Sequence, residues 1–102
     1  MHRVIEDSLD ALRELCIRYR VTRLEVFGSV ATGAFDPGTS DVDLLAEFDL
    51  SGSGSALEQY IGFIHAAEAL LGCKVDLVNP STIQNPYFLK GVEESRRPLY
   101  AA

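Results

Sequence analysis

Asp41 and Asp43 stand two residues apart inside Ser40-Asp41-Val42-Asp43-Leu44-Leu45-Ala46-Glu47-Phe48, and this pairing constrains the fold more than any other feature of the chain. A run that is apolar apart from its acids predicts a central β-strand over 41–48. Residues two apart on a strand leave by the same face. Both carboxylates therefore point to one side, and Val42, Leu44 and Phe48 face the core. Two adjacent ionised carboxylates repel, and burial raises the pKa of at least one of them. A fold tolerates such a pair best with a cation between them. Oxygen donors without Cys or His suit Mg²⁺ or Mn²⁺ better than Zn²⁺.

The pattern returns in Lys74-Val75-Asp76-Leu77-Val78, which predicts a third strand carrying a third acid. A carboxylate from a neighbouring strand is what a second metal ion, or a base for an attacking hydroxyl, would need. Two ions about 3.5–4 Å apart clamp the entering and leaving oxygens of an in-line displacement at phosphorus. Upstream, Leu24-Glu25-Val26-Phe27 reads as a short strand broken by Gly28-Ser29, with a helical turn at Val30-Ala31-Thr32 that Gly33 ends. A glycine and a hydroxyl between strand and helix suggest a phosphate cradle built on unpaired backbone N–H groups. It is neither a Walker loop nor a dinucleotide fingerprint, because Gly-Lys-Ser/Thr and G-x-G-x-x-G are both absent. Asp-x-Asp and Gly-Ser are each common by chance, and Asp76 alone could merely solubilise an edge strand. Their combination inside strand-like runs carries the reading.

The remaining segments supply the scaffold. Residues 3–19 predict one helix, since Ile5, Leu9, Leu12, Cys16 and Tyr19 share a face. Residues 35–40 form a loop around Pro37-Gly38. Ser51-Gly52-Ser53-Gly54-Ser55 is read as a flexible connector. Residues 56–71 predict a second amphipathic helix that buries Leu57, Ile61, Ile64 and Leu71 and stops at Gly72. Asn79-Pro80 ends the third strand, and Ser81 or Thr82 would cap a short helix. Residues 87–95 form a last helix, and Pro98-Leu99-Tyr100 a tail that packs back. The order is α-β-(turn)-β-α-β-α, an α/β (α+β) fold with a small mixed sheet flanked by helices.

With 102 residues, the chain predicts a single domain over 1–102. Its net charge of −6 disfavours bulk binding to nucleic acid or to an anionic membrane. A metal ion would still admit a nucleotide. No apolar run reaches the length that spans a bilayer, and the charged N-terminus does not read as a signal peptide. Cys16 and Cys73 fit no disulfide framework or metal-ligand spacing and read as reduced core residues. The expected location is the cytoplasm.

Gly28-Ser29, Asp41-Val42-Asp43 and Asp76 together resemble the nucleotidyltransferase superfamily that includes DNA polymerase beta and kanamycin nucleotidyltransferase. The chain is most similar to the minimal nucleotidyltransferase (MNT) domains, from its leading helix to Tyr100. The resemblance implies a nucleotidyltransferase fold and a protein adenylyltransferase that moves AMP from ATP, with Mg²⁺, to a tyrosine of a HEPN ribonuclease toxin, acting as its antitoxin. It implies that Gly28 and Ser29 bind the triphosphate and that Asp41 and Asp43 hold both metals. Asp76 would hold the catalytic metal and help deprotonate the acceptor hydroxyl. Two features depart from many relatives: the eleven residues between Ser29 and Asp41 are one more than usual, and Val30 replaces a frequent arginine. Arg23 and Lys74 are the candidate cations in its place.

Two other readings remain open. The domain could neutralise its partner by contact alone, or modify a small molecule or RNA. The second is disfavoured by charge and by a length that leaves no room for a further substrate-binding module. Self-association is left open. Glu47 shares the strand face of the aspartates but is expected to meet solvent. His2 and His65 are read as non-chemical, Phe35 and Phe88 as core, Tyr100 as packing, and Arg96-Arg97 as a solvated helix end.

Overall fold

A computed structural model describes residues 2–36, 38–52, 54–79 and 85–102. The element order is α1 (Arg3–Glu6), α2 (Leu9–Arg18), β1 (Val21–Phe27), α3 (Ser29–Thr32), β2 (Val42–Phe48), α4 (Ala56–Leu71), β3 (Val75–Val78), α5 (Pro86–Ser95) and β4 (Arg97–Ala101). The four strands form one mixed sheet in the order β3-β2-β1-β4. β1 runs antiparallel to both β2 and β4, while β2 and β3 are parallel. Parallel neighbours need a crossover, and α4 supplies it. The expected mixed sheet flanked by helices is the architecture observed.

The two faces of the sheet differ. Val42, Leu44, Ala46, Leu24, Val26, Val75 and Leu77 join Ile5, Leu12, Cys16 and Phe63 in the main core beneath α2 and α4. Phe63 is fully buried and meets Phe48 at 5.9 Å and Tyr19 at 6.2 Å edge-on. On the opposite face Phe27 and Leu45 pack on Val92 of α5. That second layer is small, and the acids lie beside it.

Four expectations change. The leading helix is two helices, because Ser8 takes an N-cap position between them instead of continuing the turn. His2 caps the first, its Nδ1 accepting from the Val4 N–H at 3.0 Å, and its ring packs edge-on against buried Phe35. Helix α4 buries Phe63, Ala67 and Leu71, with Leu57 65% and Ile61 41% exposed. Its apolar residues surround the helix, so periodicity alone does not choose the buried face. The C-terminal tail is a strand, β4, paired to β1 through Leu24–Tyr100 and Glu25–Pro98. The Ser-Gly run is also more than a connector. Asp49 accepts from the Ser51 N–H and hydroxyl, Arg20 donates to Asp49 at 3.1 Å, and Ser55 caps α4. Those Ser51 bonds, then Arg20, hold the Asp49 carboxyl down at about 2. The Phe88 side chain and the cap expected at Ser81 or Thr82 lie outside the described residues. Among the described residues no helix is long and apolar enough to cross a membrane.

Candidate active site

The site forms where three segments end together. Phe27, the last residue of β1, pairs with Asp43 of β2. Asp43 in turn pairs with Asp76 of β3. Register partners on adjacent strands share a face, so both carboxylates lie on the side away from the main core. Asp41 lies just before β2 and is exposed, Asp43 is half-buried, and Asp76 is exposed. The spacer from α3 to β2 is a compact turn organised by Asp36. Its side chain accepts from the Gly38 N–H at 2.9 Å, and its carbonyl accepts from the Thr39 and Ser40 N–H groups at 3.1 and 2.8 Å.

Burial, then the charges of Asp76 and Asp41, push the Asp43 carboxyl up to about 6. The three acids are thus close enough for Asp43 to feel both neighbours. They do not form a ready-made cage: among the described residues no three His, Cys, Asp or Glu side chains are gathered as a metal-ligand set. The donor chemistry nevertheless fits a hard divalent cation, because all three are carboxylates and their repulsion at Asp43 is what a cation relieves.

Gly28 occupies a backbone region essentially restricted to glycine, with φ 74° and ψ −151°. It packs so tightly on Asp43 that an added Cβ would collide with Oδ2 of that carboxylate. The turn and the acid are therefore fitted to each other. One expectation is corrected here: the Gly28 N–H is not free for an anion, because it donates to Oγ of Ser95 at 2.9 Å. Its carbonyl accepts from the Ala31 and Thr32 N–H groups, opening α3. Ser29 is half-buried at the start of that helix.

Of the nearby arginines, Arg96 departs from its expected place in solvent. Arg23 donates to Glu25 at 2.8 Å. Arg96, read as a solvated helix end, bonds Glu25 at 2.6 Å and Glu93 at 2.7 Å, with its side chain only 25% exposed. Lys74 is exposed, and its carbonyl accepts from the Val42 N–H at 2.8 Å, joining the starts of β2 and β3. Glu47 and His65 face solvent as expected.

The sequence reading gave four residues of this region no part in it. Glu25 is buried on the acidic face between Arg23 and Arg96. As an acid inside an apolar strand it repeats the pattern of Asp43 and Asp76, so the signal was present. Ser95 and Arg96 gave none. Tyr60 of α4 donates its hydroxyl to the Leu77 carbonyl. Burial, then the charge of Asp76, raise its pKa, which places the ring near the third acid.

A family model for the nucleotidyltransferase domain matches residues 9–99. The protein adenylyltransferase MntA of Thermococcus cleftensis is 39% identical over 82 residues, covering 79% of each chain. A protein of Methanocaldococcus jannaschii, provisionally named a protein adenylyltransferase, is 39% identical over 77 residues, 76% of this chain and 75% of its own. A solved structure provisionally described as a minimal nucleotidyltransferase superposes with a TM-score of 0.75 at 32% identity, covering 97% of both chains. A chain of the complex between the tri-AMPylated Shewanella oneidensis HEPN toxin and its MNT antitoxin shares the fold, with a TM-score of 0.62 at 13% identity, over 95% of this chain and 72% of its own. With a family model spanning most of its length, and a Gly-Ser turn seated on an acid-bearing strand pair, the chain belongs to the nucleotidyltransferase domain family, among its minimal members.

Proposed function

We propose that the chain transfers AMP from ATP to a hydroxyl on a partner protein, and that it thereby acts as the antitoxin of a HEPN-type ribonuclease in the cytoplasm. One observation carries this reading: Gly28 is seated on Asp43, and Asp43 stands in register with Asp76. Relatives named as protein adenylyltransferases, and the likeness in fold to solved toxin–antitoxin chains, support the acceptor and the partner.

Each residue has a distinct task. Ser29, at the start of α3, binds the triphosphate with its hydroxyl, and Gly28 lets the chain approach closely. Asp41, Asp43 and Asp76 would hold divalent ions, Mg²⁺ or Mn²⁺. When bound, such ions offset the triphosphate charge and polarise the reacting phosphorus. The acceptor oxygen attacks the α-phosphorus, the new P–O bond forms, and the bond to the pyrophosphate oxygen breaks. Asp76, more exposed than Asp43, takes the acceptor proton. Burial and its acidic neighbours hold the free Asp43 carboxyl near 6, a cost that a bound cation would relieve.

To test this, the protein is mixed with ATP, Mg²⁺ and the product of a neighbouring toxin gene, and the partner is weighed by mass spectrometry. A gain of one or more AMP units is expected, and it should vanish with Asp41→Ala plus Asp43→Ala. No gain with a folded partner sinks the proposal. Neutralisation that persists in the double variant replaces catalysis with simple contact.

A further inference from the structure

Helix α5 crosses the acidic face and is fastened to it near its C-terminal end. Val92 fills the gap between Phe27 and Leu45. The Ser95 hydroxyl accepts from the Gly28 N–H at 2.9 Å and donates to the Gly91 carbonyl at 2.9 Å. The next residue, Arg96, grips Glu25 at 2.6 Å, and Glu25 is only 4% exposed. At the other end of the helix Tyr87 is 86% exposed.

We infer that Ser95 is a positioning residue for nucleotide binding, held in place by the Arg96–Glu25 pair. The inference rests on the reading that Gly28-Ser29 receives the triphosphate. Glycine reaches the Gly28 conformation without strain but also many others, so its surroundings must select this one. Asp43 closes one side of it by contact. Ser95 fixes the other by satisfying its N–H, which sets the plane of the preceding peptide and so the direction in which Ser29 leaves. Ser95 sits 67 residues away in sequence and becomes a neighbour only through α5. Arg96 acts one step further out. Its charge is matched by Glu25 and Glu93, so it anchors the helix and does not reach for phosphate. The Gly28-Ser29 turn is thus ordered by an element distant in sequence.

The test is calorimetric titration of the full chain with ATP and Mg²⁺, beside AMP transfer at saturating ATP. Ser95→Ala is expected to weaken ATP binding about 5- to 10-fold, the loss of one hydrogen bond to a part-buried donor. Turnover at saturating ATP should stay within about twofold, because no reacting group has moved. Ser95→Thr keeps the hydroxyl and should restore wild-type affinity. Hydrogen exchange by NMR should show the Gly28 amide less protected in Ser95→Ala and protected again in Ser95→Thr. If Ser95→Ala does not fold, Arg96→Lys, which keeps the charge but loses the forked contact, carries the same affinity measurement. Unchanged ATP affinity in the folded variant, beside wild-type protein that binds ATP, overturns the inference alone. Wild-type protein that fails to bind ATP overturns the parent reading and this inference with it.

Discussion

Asp43 and Asp76 are direct register partners across the parallel β2–β3 pair, on the face opposite the main core. Burial, then the charge of Asp76, makes ionisation of Asp43 costly in the metal-free protein. The folded-state value of about 6 lies above the ordinary 3.8. Between these limits the folded state binds the extra proton, so stability falls as pH rises through about 4 to 6. Below that window the carboxyl is neutral in both states and the penalty vanishes. Asp43→Asn should therefore raise stability at pH 7 by about 1 kcal/mol, after discounting for the solvent that screens a half-buried group. It should leave stability at pH 4 nearly unchanged and abolish AMP transfer. Thermal melts in EDTA across this range measure it, and an Asn variant with the wild-type pH slope rules it out.

Gly28→Ala should be far more damaging than an average surface substitution. The new Cβ meets the Asp43 carboxylate, and the positive φ disfavours any side chain. A cost of roughly 1–3 kcal/mol follows from the backbone strain. Transfer should fall further than stability, since Asp43 is displaced. Denaturant melts paired with single-turnover rates would separate the two losses.

The two arginines on Glu25 should differ. The side chain of Arg23 is 50% exposed and that of Arg96 25%. Arg23→Ala should cost at most about 1 kcal/mol, as for an exposed pair. Arg96→Ala leaves a buried carboxylate short of its better-shielded partner and should cost about 3 kcal/mol. Equal losses in urea melts would show that the buried pair is not the stronger anchor.

Thiol chemistry should separate the two cysteines. Cys16 is fully buried, and burial pushes its thiol up to about 12. Cys73 is half-buried near the end of α4. A disulfide reagent at pH 8 should titrate one thiol in the native protein and two in denaturant, since the inert thiol carries roughly 10³-fold less thiolate. Two rapid thiols in the native state would contradict the packing of α2 on the sheet.

Much of this organisation was legible in residue spacing. Acids at alternate positions in apolar runs located β2 and β3, and Gly28 and Gly72 marked real ends of elements. What failed did so for physical reasons. Helix α4 is apolar all round, so only packing against Tyr19 and Phe48 decides that Phe63 turns inward while Leu57 does not. Pro98 hid β4, because proline removes a ladder donor, yet an edge strand tolerates it. The Ser95–Gly28 bond could not be read at all, since a distant serine and a glycine carry no mark of becoming neighbours.

The sheet ends in β4 on one side and β3 on the other. β4 places Arg97 and Pro98 along its length, and β3 is only four residues long, one of them Asp76. A proline cannot donate to an incoming strand, and charge on a short strand repels a second copy. The acid proposed for chemistry at β3 therefore also discourages edge-to-edge stacking of one molecule on the next, so neutralising it should make the protein more prone to aggregate.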